Sequence, residues 1–183
     1  MKRSQRGSAS IEAAIALSVV ITAGLLVSDL YLLSRARADL ERSTASLSST
    51  LSNQNQLTAE GVDALLDALV AERGDRYQFH VGKVLLDGTV SWQLALGAAD
   101  GLCDSPLGSD TYQGPLPERD PEADNGRVAL LVVRGCQDSD QLGMGSLGLG
   151  GKVLQADAIS RLRMANIKLD EALSNQAGIP YVE

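Results

Sequence analysis

Aromatic and basic side chains are scarce in this chain, and histidine almost absent. Aromatics make up 3% of its 183 residues, with one Trp and one Phe. A core must therefore be built from aliphatic and small side chains. The single histidine, His80, falls on the polar side of an alternating segment and has no second histidine to complete a metal site or a catalytic triad. Sixteen Lys and Arg against 23 Asp and Glu give a net charge of −7, which excludes the basic surface that nucleic acid requires. Cysteine is limited to Cys103 and Cys136, with no C-x-x-C pair. Two cysteines suit one disulfide or two free thiols alike, and export to an oxidising compartment selects the bridge. Gly143–Gly151 lacks the Lys and Ser/Thr of a phosphate loop. The acidic stretches 118–124 and 138–140 lack EF-hand spacing and read as solvated loops. No catalytic constellation, metal site or cofactor site is expected.

What is abundant is apolar length at the start. Lys2, Arg3 and Arg6 form a short basic leader ending at Gly7. Without these three cations the remaining body carries −10. After Ser8-Ala9-Ser10-Ile11-Glu12 the chain is apolar from Ala13 to Leu33, interrupted by one charge, Asp29. About 20 such residues span a bilayer as a helix. Asp29 lies roughly 30 Å along the helix from Ser8 and reads as an interfacial residue near the exit. Glu12 is harder to place, because a charge within the membrane costs about 2.5–3.5 kcal/mol. One reading has its carboxylate reaching back to water. The other uses spacing: a cut after Gly7 makes Ser8 the first residue and Glu12 the fifth. The new α-amino group of a neighbouring subunit then becomes a partner for Glu12, close to the positive end of the helix dipole.

This segment resembles the class III signal of the type IV pilin superfamily. The stretch Arg6-Gly7-Ser8-Ala9-Ser10-Ile11-Glu12-Ala13-Ala14-Ile15-Ala16-Leu17 is similar to TadE/TadF pseudopilins of tight-adherence (Tad, Flp-type) pilus systems, with TadF favoured. Ser8 separates it from general-secretion pseudopilins, which usually begin with Phe. Ala13 in place of Tyr, and the chain's length, separate it from the short major pilin. The resemblance covers residues 1–33. It implies a prepilin peptidase acting between Gly7 and Ser8, Glu12 serving assembly, a body in the periplasm, and an α+β, type IV pilin-like fold. It also implies a set of partners: other minor pilins of TadE and TadG type, the major Flp pilin, the inner-membrane assembly platform and the lipid bilayer. Two alternatives stay open: a secretory signal cut near Ala36-Arg37-Ala38, and an uncut anchor carrying a periplasmic sensor or binding domain.

Beyond the membrane run, Leu33, Leu40, Leu47 and the offset Thr44 and Leu51 continue a helical stripe. One helix is expected over 8–53, transmembrane in about 11–33, leaving 54–183 as the globular domain. Val62, Leu65, Leu66, Leu69 and Val70 predict a second helix, capped by Thr58 and stopped near Gly74. Tyr77, Phe79 and Val81, then Val90, Trp92, Leu94 and Leu96, alternate as strands around an Asp87-Gly88 turn. Residues 127–134 predict a buried central strand with Cys136 just after it, and 137–151 a flexible connection. Residues 97–126 predict a long loop holding Cys103. Residues 152–174 are readable as helix or as strand, with a strand at Val153–Ile159 followed by a loop or short helix preferred. Gly178-Ile179-Pro180 ends any helix before it.

Overall fold

The structure is a computed structural model that describes residues 5–70, 75–108, 110–118, 128–140 and 152–181, with side chains from Ser10 onward. It is an α+β chain with one long apolar N-terminal helix and a small antiparallel sheet. By internal contacts it divides into two compact units: Met1–Ala36 with Ser139–Lys152, and Arg37–Asp138 with Val153–Glu183.

Helix α1 runs Gln5–Ser52. It begins before the Gly7/Ser8 junction, which therefore lies inside its first turn rather than ahead of it. In the first unit the helix is apolar all round, and Ser18 and Thr22 turn their hydroxyls back to the carbonyls of Ile15 and Ser18, both at 2.8 Å. That bonding satisfies each hydroxyl within the helix itself. Near the end of this unit Ser139 N donates to Lys152 O at 3.1 Å.

The second unit is built on a four-stranded sheet of order β3-β2-β4-β5, antiparallel throughout. The strands are β2 Tyr77–Leu85, β3 Val90–Leu96, β4 Ala129–Asp138 and β5 Val153–Arg161. Asp87-Gly88 makes the expected turn, with Gly88 at φ 89° and its N–H donating to Leu85 O. The register steps from Lys83↔Trp92 to Val84↔Val90, leaving Ser91 as the extra residue of a bulge. One sheet face presents Tyr77, Phe79, Val81, Trp92, Leu94, Leu131, Val133 and Ala156 to a core completed by Leu40, Leu47 and Leu51 of α1. Helix α2, Ala59–Val70, adds Val62 and Leu66, and α3, Glu171–Ala177, adds Leu173. Each fully buried aliphatic chain of this kind contributes about 1.5–3 kcal/mol.

Gly135 in β4 lets α1 come close. A Cβ there would stand 2.2 Å from Thr44 Oγ1 and 3.1 Å from Leu40 Cδ1. Thr58 caps α2 as expected, its Oγ1 accepting from Gly61 N at 3.2 Å. Gly74, the expected stop, lies outside the described residues, as does the start of the strand predicted from Arg127. Asp170 caps α3 through Oδ1, which accepts from Leu173 N at 2.8 Å, while Oδ2 accepts from Ala59 N at 2.7 Å. One carboxylate thus ties down the starts of two helices. A short parallel pair, β1 Gln56–Leu57 with β6 Lys168–Leu169, runs alongside. Gly178 (φ 69°) ends α3.

The structure differs from the sequence reading in the central strand. β4 continues through Cys136 and Gln137 to Asp138, where a flexible connection was expected. Its neighbours explain this: Gln137 pairs with Tyr77 on one side and Leu154 on the other. Residues 152–174 resolve as the strand β5 followed by a loop, the short β6 and the start of α3.

Candidate functional site

The N-terminal features lie along one helix. Gly7 and Ser8 are in the first turn of α1, and Glu12 is exposed on the same helix one turn later. From Ser10 to Arg35 a single position is buried, Asp29, at 6% exposure. The sequence places Asp29 at a wet interface, whereas the structure buries it. Elsewhere along the run large apolar side chains stay uncovered, Val20 at 67% and Val27 at 65% exposure. Among the described residues α1 is the one helix long and apolar enough to cross a membrane. Residues 11–33 cover about 33 Å at 1.5 Å per residue, matching the hydrocarbon thickness.

The second notable arrangement is on the sheet face opposite the helices. Order β3-β2-β4 forces the chain after β3 to return past β2, and residues 97–118 do so across this face. Leu107 and Tyr112 bury themselves against Val84 and Val132. Gly82 makes room, since a Cβ there would stand 2.3 Å from Leu107 Cδ1. Cys103 and Cys136 form a disulfide, with Cα atoms 6.4 Å apart. Polar residues of β2 on this face reinforce the bridge. Gln78 Oε1 accepts from Leu102 N at 2.8 Å, and His80 Nε2 lies 3.0 Å from Cys103 O. His80 therefore serves the loop. Arg134 makes a two-pronged pair with Asp157, Nε to Oδ1 at 2.7 Å and Nη2 to Oδ2 at 2.8 Å. The hydrogen bond to Asp157 is the main reason the Arg134 guanidinium holds its proton above its usual range. Burial raises the Tyr112 phenol and lowers the Lys83 ammonium from their ordinary values.

Sequence reasoning placed both cysteines but missed Gln78, Arg134 and Asp157. The only available signal was a polar residue at alternate positions of an apolar strand, which solvent exposure explains equally well. Among the described residues no three His, Cys, Asp or Glu side chains gather closely enough to hold a metal. Of the two acidic stretches, residues 119–124 lie outside the described residues, and Asp138 closes β4. Open grooves of about 310 Å³ beside Leu57 and about 400 Å³ beside Tyr77 contain neither histidine nor cysteine.

No protein-family model, curated protein or solved structure matches the chain.

Proposed function

We propose that the chain is a membrane-anchored, pilin-like subunit of a Tad (Flp-type) pilus, a minor pilin or pseudopilin of TadF type. The observation that carries the reading is the uncovered apolar half of α1. Ten Ile, Leu and Val side chains exposed from Ile11 to Leu32 are stable only in lipid or against other apolar helices. The Ser18 and Thr22 back-bonds suit the same surroundings. The resemblance of residues 6–17 supplies the rest. Prepilin peptidase removes residues 1–7 at the Gly7/Ser8 junction. The mature subunit waits in the inner membrane with its disulfide-bonded body in the periplasm, where oxidation is favoured. It then joins TadE-like and TadG-like minor pilins in a priming or tip complex from which the major Flp pilin grows, supporting adherence and biofilm. Glu12 pairs with the α-amine of a neighbour, an arrangement that only the cut after Gly7 creates.

The test is the mature N-terminus of the protein purified from membranes. Ser8 is expected. An intact Met1 would replace this reading with an uncut anchor carrying a sensor or binding domain, and Asp39 with a secreted protein. Glu12→Ala is expected to leave cleavage and membrane insertion intact and to abolish assembled fibres on electron micrographs. Normal fibres from that variant would remove Glu12 from assembly.

A further inference from the structure

The two edges of the four-stranded sheet are treated differently. The β3 edge is closed by the chain's own residues. Val90 N donates to Asp110 O at 3.0 Å, Thr89 bridges Thr111, Gln93 Nε2 donates to Gly108 O, and Gln176 Nε2 donates to Ala95 O at 2.7 Å. The β5 edge has no such cover among the described residues. All nine residues of β5 pair in unbroken register with β4, leaving the other side of the strand open. β5 contains no proline, no lysine and no bulge, three of the devices that keep an edge from pairing, and its charges are Asp157 and Arg161. Ile159 sits on it at 39% exposure, an apolar side chain turned out of the core.

We infer that β5 is a docking edge that takes one antiparallel strand from a different polypeptide chain. Addition of a strand to an open edge is a recurrent mode of recognition, with backbone bonds supplying affinity and alternate side chains supplying selectivity. The chemistry of the occupant follows from the exposed row Gln155, Asp157, Ile159, Arg161, which shares one face. Asp157 is already neutralised by Arg134, whereas Arg161 makes no ion pair among the described residues. The incoming strand therefore carries an aliphatic residue opposite Ile159, a carboxylate opposite Arg161 and a neutral polar residue opposite Asp157. Antiparallel addition continues a sheet that is antiparallel throughout, the better-bonded arrangement. A second copy's β5 matches the same row, with Ile159 against Ile159. Such self-pairing, however, reverses the direction of the helix that lies on the sheet through Leu40, Thr44 and Ser48. Copies anchored in one membrane by that helix point the same way, so the choice of a different chain rests on the proposed anchoring.

The experiment uses the full chain in detergent micelles and the synthetic peptide Thr-Val-Glu-Thr-Ile-Thr-Gln-Val-Thr. Amide hydrogen exchange is followed by mass spectrometry. The outward amides of β5 are expected to exchange fast in the free chain and to slow at least about tenfold with saturating peptide, with β3 unchanged. Ile159→Lys is expected to abolish the effect. Arg161→Glu is expected to weaken binding at least about tenfold, and replacing the peptide's Glu by Lys to restore it. The inference is overturned if β5 is already protected in the free chain, if the peptide leaves β5 unchanged, or if the charge exchange fails to follow. It is overturned in favour of a second copy if the chain dimerises through β5 in a manner lost in Ile159→Lys. Anchoring is read separately from the mature N-terminus, so either conclusion can fail without the other.

Discussion

Gln137 is fully buried at the far end of β4, and neither Nε2 nor Oε1 of its amide finds a hydrogen-bond partner. An unsatisfied buried polar group costs about 1–3 kcal/mol, and an apolar replacement of similar shape removes that cost. Gln137→Met is therefore expected to raise stability by about 1–3 kcal/mol, read as a higher midpoint in denaturant with unchanged slope. An unchanged or lower midpoint would show that the amide is satisfied in solution. In sequence Gln137 belonged to a polar stretch before a Gly-rich run, and nothing marked it as core. Gly135, two residues earlier, has the same history. Its role is visible only once Thr44 and Leu40 are seen above it.

Among the elements, α1 was the most legible. Its apolar length, the stripe through Leu40 and Leu47 and its end near Ser52 all follow from local pattern, because a helix makes its backbone bonds within itself. The hairpin at Asp87-Gly88 and the helix α2 are local in the same sense. Membrane insertion belongs to this scale. Val20 is 67% exposed at the middle of the apolar run, and a lysine there adds about 2.5–3.5 kcal/mol to insertion. Val20→Lys is expected to shift a large share of the protein out of the carbonate-resistant membrane fraction. Full retention would count against a transmembrane α1. The strands β4 and β5 were less legible. β4 passes beyond its apolar run because β2 and β5 supply partners on both sides. Residues 152–174 fitted a helical period as well as the preferred strand, and it is pairing with β4 that makes Val153–Arg161 a strand.

For the molecule as a whole, the path of residues 97–118 is the least local feature. They cross the sheet face opposite the helices, and the Cys103–Cys136 bridge fastens them there across a sequence separation of 33. Closing a loop of that size stabilises by about 2–4 kcal/mol. Cys103→Ser with Cys136→Ser is expected to lower stability by about that amount and to open the segment to proteolysis between 97 and 118, mapped by mass spectrometry. A double variant as stable and as resistant as the parent would show that Gln78, His80 and Leu107 hold the segment unaided. Composition and local pattern alone determined the α+β class, the apolar N-terminal helix, the hairpin, and a pair of cysteines suited to one bridge. The tertiary structure alone decided the strand order, the reach of β4, the route of the long loop, the burial of Asp29 and Gln137, and the contrast between a closed β3 edge and an open β5 edge. The physical reason is range. Helix and turn preferences act between residues a few positions apart, whereas edges, faces and buried polar groups are set by partners far along the chain.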